Sequence, residues 1–353
     1  MARKRVKRNH GEKVQNEPTI MAEDRISQLP DSLIHYIFSF LPTIHLVRMS
    51  GVSRRWRRMW VSTPFLYFDC QFNDVTFTKD VNRSSMFLNF VKNCLRFRKR
   101  YMQRDTFLIS FKLDYYILGR NAARQVDSWV RSAIQSKVKE LDLDVEGYRI
   151  PQVVYTASSL TQLKFCALNF ESTSLSTLSS LTQLELRNLK LEAPFLSKFP
   201  TLKHLSLIRV VSDYKSLENL ISGCPIIEDL CLVSLKVINH HGLDLSSIDF
   251  PAKTLKNLTL SSVEFTDQGF ECLISRLAVL ERLTLDYFDK DMIFPEDIRN
   301  RLSPPLPNLK HLYATVYRDH KRNSKLHDFL VWCAPSLETI EVQEKPSYCW
   351  SSV

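Results

Sequence analysis

From residue 138 onward the apolar positions follow one spacing, apolar-x-x-apolar-x-apolar, again and again. It reads Val138-Leu141-Leu143, Leu160-Leu163-Phe165, Leu181-Leu184-Leu186 and Leu202-Leu205-Leu207. It continues as Ile227-Leu230-Leu232, Leu255-Leu258-Leu260 and Leu280-Leu283-Leu285, then Leu309-Leu312-Ala314 and Leu337-Ile340-Val342. Successive starts lie 21–29 residues apart. Such a period marks a solenoid in which each unit is a strand and a return segment. One unit cannot cover its own apolar side, so neighbours must stack, and stability accumulates along the stack. Within a strand, side chains two residues apart share a face. The last two apolar positions therefore enter the core, and the residues between them project the other way. The expected fold is α/β, a horseshoe with parallel strands on its concave face. Pro200, Pro225, Pro307 and Pro335 each stand two residues before a first apolar position. Proline cannot continue a helix, so each is expected to end a return segment and admit the next strand.

Upstream the spacing changes. Leu33, Ile34, Ile37, Phe38 and Leu41 fall at i, i+1, i+4, i+5 and i+8, which predicts a helix with one broad apolar stripe. Pro30 and Asp31 suit its start, and Pro42 stops it. Thr43 can cap a second helix carrying Leu46 and Val47. Ser53 can cap a third, with Trp56, Met59 and Trp60 on one face. Three helices in about 40 residues bury only part of so much apolar surface, and a module this small is marginal alone. Either a partner or the repeat domain must cover the remainder. Between the module and the repeats, two further helices are expected near Ser84–Arg100 and Asn121–Lys137. Phe107, Ile109, Phe111 and Leu113 alternate between them as a half-buried strand would.

Composition narrows the chemistry. The first 22 residues lack periodicity and read as a disordered tail carrying Arg3, Lys4, Arg5, Lys7 and Arg8. That tract supplies part of a net charge of +10. It reads either as a nuclear import signal or as a solvated end, so residence in the nucleus, the cytoplasm or both is expected. No apolar run reaches membrane-helix length, and no apolar stretch follows the basic start as in a signal peptide, so membrane is not expected as a partner. The eight cysteines form no Cys-x-x-Cys pair, which favours buried, reduced thiols over disulfides or a zinc site. The seven glycines make no phosphate-cradling loop. His240 and His241 adjoin, but neighbouring residues point apart, so no metal or other cofactor is expected there. An enzyme reading has no motif behind it. Arg54-Arg55-Trp56-Arg57-Arg58 offers a nucleic-acid alternative, disfavoured because Trp56, Met59 and Trp60 suit packing better than base readout.

The amino-terminal block resembles the F-box. It carries Leu29-Pro30 at its start, Leu41-Pro42 at its first helix end, and Val52-Ser53-Arg54-Arg55-Trp56 in the position of that family's Val-Ser-(Lys/Arg)-x-Trp motif. The whole is similar to the plant F-box/leucine-rich-repeat family, with Asp127-Ser128-Trp129-Val130 leading to Glu140-Leu141-Asp142-Leu143 as a first repeat. The resemblance implies a basic tail over 1–22, an F-box over 23–68 and a bridging region over 69–137. A leucine-rich-repeat solenoid over 138–345 and a tail over 346–353 follow. It also implies a substrate receptor of a Skp–cullin–F-box ubiquitin ligase, itself no enzyme. The Skp-type adaptor contacts carried over by position are Leu29, Pro30, Leu33, Ile37, Leu41, Pro42, Val52 and Trp56. A target protein would meet the outward strand positions, among them Glu140, Asp142, Asp144, Glu185, Arg187, His204, Asp229, Arg282, Asp286 and Tyr313. Asp142 and Asp144 are expected as a solvent-facing acidic patch. A repeat scaffold unconnected to degradation is the remaining alternative. Many members carry a further carboxy-terminal domain, which this sequence is expected to lack.

Overall fold

The computed structural model describes residues 26, 28–71, 81–101, 107–116, 120–166, 177–191, 198–238, 253–263, 269–286, 304–317 and 331–345. The basic tract at 3–8, His240–His241 and the tail over 346–353 lie outside them. Three short helices lead, α1 (Asp31–Phe38), α2 (Thr43–Met49) and α3 (Arg54–Ser62). Strand β1 (Phe65–Asp69), helix α4 (Val81–Tyr101), strand β2 (Ser110–Tyr116) and helix α5 (Arg120–Gln135) follow. The arc then runs through β3 (Glu140–Glu146), α6 (Gln152–Tyr155), β4 (Gln162–Cys166) and β5 (Gln183–Arg187). Beyond β6 (Lys190–Leu191), β7 (His204–Ile208) and β8 (Val211–Ser212) come α7 (Tyr214–Ser222), β9 (Asp229–Val233) and β10 (Lys236–Val237). The last elements are β11 (Asn257–Ser261), α8 (Gly269–Arg276), β12 (Arg282–Asp286), β13 (His311–Tyr317) and β14 (Thr339–Lys345).

Eleven strands form one sheet in the order β1-β2-β3-β4-β5-β7-β9-β11-β12-β13-β14, and the registered pairs are parallel. In the eleven-stranded sheet the second and fourth strand positions, such as Leu163 and Phe165 or Leu205 and Leu207, are buried as far as β13, as their spacing requires. In β14, at the edge of that sheet, Ile340 is only partly buried and Val342 is exposed, which corrects the expectation for the last unit. The prolines at 200, 225, 307 and 335 stand in turns just ahead of strands. The sheet begins earlier than the repeat spacing announced. Leu66 and Phe68 in β1, and Phe111 and Leu113 in β2, hold the same buried positions, so the bridging region supplies two strands of the arc.

After several strands the chain turns a corner in the left-handed region. Asn188, Arg209, Ser234 and Ser262 have φ of 48–52°. Each amide there donates to the last carbonyl of the next strand, Asn188 to Ile208 at 2.9 Å and Arg209 to Val233 at 2.7 Å. Ser234 donates likewise to Ser261 at 2.8 Å, and Ser262 to Asp286 at 3.0 Å. After the corners at Asn188, Arg209 and Ser234 the chain enters a second, three-stranded sheet, β10-β8-β6. The strained backbone is held because its amide completes a ladder.

The helical module is fastened to this arc, so the alternative in which the repeat domain covers part of it is realised. The Thr43 hydroxyl does not cap α2. It is wholly buried and accepts from the Tyr67 amide of β1 at 2.9 Å. Ser53 does cap α3, accepting from the Trp56 amide at 3.2 Å. Arg98 of α4, only 3 % exposed, donates to the carbonyls of Trp60 (3.0 Å) and Thr63 (2.7 Å) where α3 ends. Its guanidinium lies 5.6 Å from the Trp60 ring centroid. Among the described residues no carboxylate pairs with it, and burial pulls its pKa down to about 10. Arg98→Met keeps the bulk but leaves both carbonyls without these donors. Urea unfolding is expected to show a loss of about 1–3 kcal/mol, the cost of buried unmet acceptors; an unchanged midpoint would mean the clasp is idle.

Candidate functional site

Helix α1 carries two apolar stripes. Ile34 and Phe38, four residues apart, point inward and are almost wholly buried. The Phe38 ring meets Trp56 at 5.7 Å between centroids. The opposite stripe, at i, i+3, i+4 and i+7 with Phe40 in the turn just after the helix, is open: Leu33 is 48 % exposed, Tyr36 62 %, Ile37 40 % and Phe40 66 %. Tyr36 and Phe40 pack edge to face at 5.0 Å, which holds them as a unit. Ile26 and Val52 are exposed in the same module. The inward stripe already has its core, so the outward one is surplus to folding. A clustered apolar surface of this kind marks an interaction site.

The orientation of α1 is fixed from outside it. Arg55 of α3 donates to Asp31 Oδ1 at 2.7 Å and also to the Leu29 carbonyl, tying the helix start to α3. The Asp31 carboxyl is held below its usual range by that hydrogen bond. Of the eight residues expected at an adaptor face, Pro30, Leu33, Ile37 and Val52 are exposed, and Leu29 and Leu41 are partly buried. Pro42 and Trp56 are corrected to internal positions, Trp56 being 6 % exposed against Phe38. They shape the face without presenting a side chain on it. Sequence reading missed Tyr36 and Phe40, which the i, i+3, i+4, i+7 spacing from Leu33 could have found.

The concave face is built from strand positions one, three and five. All ten residues expected there lie on it. The parallel register puts Asp69, Asp114, Asp144, Cys166 and Arg187 in one row. Lys112, Asp142, Lys164 and Glu185 form the next row. The expected open acidic patch is corrected here, because its charges are tied to one another. Arg187 reaches back across β4 to Asp144 (3.0 Å) and Asp142 (3.5 Å) on β3 and donates to Glu185 at 2.6 Å. Lys164 meets Glu185 at 2.9 Å. Farther along, Asp229 accepts from His204 and from Asn257. Ser261 donates to Asp286 at 3.3 Å, and His311 contacts Thr339 at 2.9 Å. Arg282 is exposed, and Glu140 and Tyr313 are half-buried.

At the amino-terminal end the row stays unbalanced. Asp114 is pushed up to about 6, first by burial and then by Asp69, Asp144 and Asp142. Burial likewise raises Asp142. Asp69, Cys70 and Asp114 bring ligand atoms within 4.8 Å of one another, the one such group among the described residues. The linkage has a definite sign. An unfolded aspartate titrates near 3.9, so between about pH 6 and 4 the folded chain holds a proton that the unfolded chain does not. Asp114 therefore favours unfolding at neutral pH, and this penalty fades as pH falls through 6. Asp114→Asn should raise the thermal midpoint at pH 7.5, with the advantage shrinking towards pH 5. An advantage that grew on acidification would contradict the assignment.

Comparison with known proteins bears on both regions. Residues 26–68 match the F-box domain family. Residues 126–250 match the family described as FBD-associated F-box protein At5g56370, LRR repeats, and residues 255–277 match Leucine Rich Repeat. The putative FBD-associated F-box protein At5g22720 of Arabidopsis thaliana is 34 % identical over 223 residues, 60 % of this chain and 40 % of that protein. F-box/FBD/LRR-repeat protein At2g04230 of the same plant is 30 % identical over 250 residues, 69 % of this chain and 48 % of that protein. F-box/LRR-repeat protein 13, also from Arabidopsis thaliana, is 29 % identical over 224 residues, 59 % of this chain and 41 % of that protein. The chain thus spans between about two fifths and one half of the length of these curated relatives. Among the described residues no helix is long and apolar enough to cross a membrane.

Proposed function

This chain belongs to the plant F-box/leucine-rich-repeat proteins, and from that premise we propose that it is the substrate-recognition subunit of a Skp–cullin–F-box ubiquitin ligase. The observation that carries the reading is the second stripe of α1. Leu33, Tyr36, Ile37 and Phe40 stay open although the module already has a full core and a firm seat on the arc. A Skp-type adaptor covers that stripe. The concave strands, facing elsewhere, hold a target protein. The chain supplies no catalytic group; it raises the effective concentration of target lysines near the charged ubiquitin carrier. Residence in the nucleus, the cytoplasm or both goes with the basic tract at 3–8.

Purified full chain mixed with a Skp-type adaptor is expected to elute as a one-to-one complex on gel filtration with light scattering. Separate elution at micromolar concentration would overturn the reading. A scaffold unconnected to degradation is distinguished by target lifetime. A captured target should persist longer when α1 is disabled, and an unchanged lifetime favours the scaffold.

A further inference from the structure

Helix α1 is anchored unevenly. Its buried side chains begin at Ile34 and end at Phe38. Ahead of them Asp31, Ser32 and Leu33 are all exposed, so the first turn has no packing of its own. Its N-cap is Pro30, which makes no side-chain capping bond. An eight-residue helix is marginal in isolation, and a first turn that is neither packed nor capped frays. That turn matters to the outward stripe, because Leu33 is the stripe's first residue.

The turn is held from α3 instead. Arg55 Nη2 donates to Asp31 Oδ1 at 2.7 Å and to the Leu29 carbonyl. Among the described residues these are the side-chain hydrogen bonds made to residues 29–33. They bracket Pro30, whose carbonyl closes the turn by accepting from the amides of Leu33 (3.0 Å) and Ile34 (3.1 Å). The backbone that carries Arg55 is itself fixed, with Ser53 capping α3 and Trp56 buried against Phe38. The Arg55–Asp31 pair is partly solvated, so it adds little to global stability. Its effect is local order. A binding face populated in its competent arrangement for only part of the time binds more weakly by that fraction.

We infer that Arg55 is a positioning residue for adaptor capture, acting through α1: it keeps the first turn closed, so that Leu33 stands in line with Tyr36, Ile37 and Phe40; this rests on the adaptor reading above. Without it the helix stays pinned at Ile34 and Phe38, its start opens, and the adaptor must order that turn as it binds.

The test is isothermal titration of the full chain with a purified Skp-type adaptor, beside amide hydrogen exchange on the free chain. Arg55→Ala should bind about tenfold more weakly. In the free variant the Leu33 and Ile34 amides should lose their protection, while exchange in α3 and β1 and the thermal midpoint stay nearly unchanged. Arg55→Lys keeps a cation beside Asp31 and should recover part of both losses. Should Arg55→Ala not fold, Asp31→Asn loosens the same tie from the other side. It should show a smaller loss of affinity with the same loss of protection. Undiminished affinity in the folded variant overturns the inference and leaves the adaptor reading intact. An affinity loss with Leu33 and Ile34 still protected also overturns it, since Arg55 would then touch the adaptor directly. A wild-type chain that does not bind the adaptor overturns both.

Discussion

Leu33→Ser combined with Ile37→Ser should weaken capture of a Skp-type adaptor by more than about 100-fold, the combined effect of two interface anchors. The same chain should unfold within about 0.5 kcal/mol of wild type, because exposed positions away from packing contribute little to stability. Both side chains are 40 % or more exposed and belong to the outward stripe. Ile34 and Phe38 give the opposite signature. Truncating either to alanine empties a filled site and costs about 2–5 kcal/mol, so any loss of capture then follows loss of fold. Trp56→Ala belongs with this second group, because Trp56 is buried against Phe38. Isothermal titration beside urea unfolding separates the two classes. Undiminished affinity in the Leu33/Ile37 double variant would show that the outward stripe is not the docking face.

Phe165→Ala should destabilise the arc by about 3–5 kcal/mol, the range for deleting a buried aromatic ring. Phe165 is fully buried in β4, between β3 and β5. A solenoid is stabilised by interfaces between neighbours, so a void in one unit weakens both of its contacts. Glu185, on the other face of the next strand, provides the control. Its pairs with Arg187 and Lys164 are partly solvated, and Glu185→Gln should cost only about 0–1 kcal/mol. Urea unfolding followed by circular dichroism reads both. A small effect at Phe165 would mean that the stack does not rest on its repeated apolar positions.

The repeat was plain in the sequence because its cause is periodic. Core positions recur with the stack, and even Leu309-Leu312-Ala314, the weakest unit, is buried as the spacing requires. The first strand, and the place of the second in the arc, were missed for physical reasons. Leu108-Phe111-Leu113 has the same spacing, but a long helix on either side stretches the interval beyond the regular range. In the unit of β1, the first apolar position is Thr63, whose carbonyl accepts from Arg98. The seat of the helical module was also hidden. Nothing in the order of residues says that Thr43 gives up capping for a bond to Tyr67, or that Arg98 reaches back some 35 residues to end α3. The concave network was half legible. Asp144, Cys166 and Arg187 hold the same position in successive units, which predicts their row. That Arg187 folds back over Cys166 to gather three carboxylates depends on side-chain reach, which spacing does not encode.

Amide hydrogen exchange on the full chain, free and saturated with a Skp-type adaptor, tests most directly whether one helix serves two masters. Protection gained over residues 29–41, with the concave strands β5, β7 and β9 exchanging as before, is the predicted result. Protection that appeared on those strands and left α1 unchanged would contradict it.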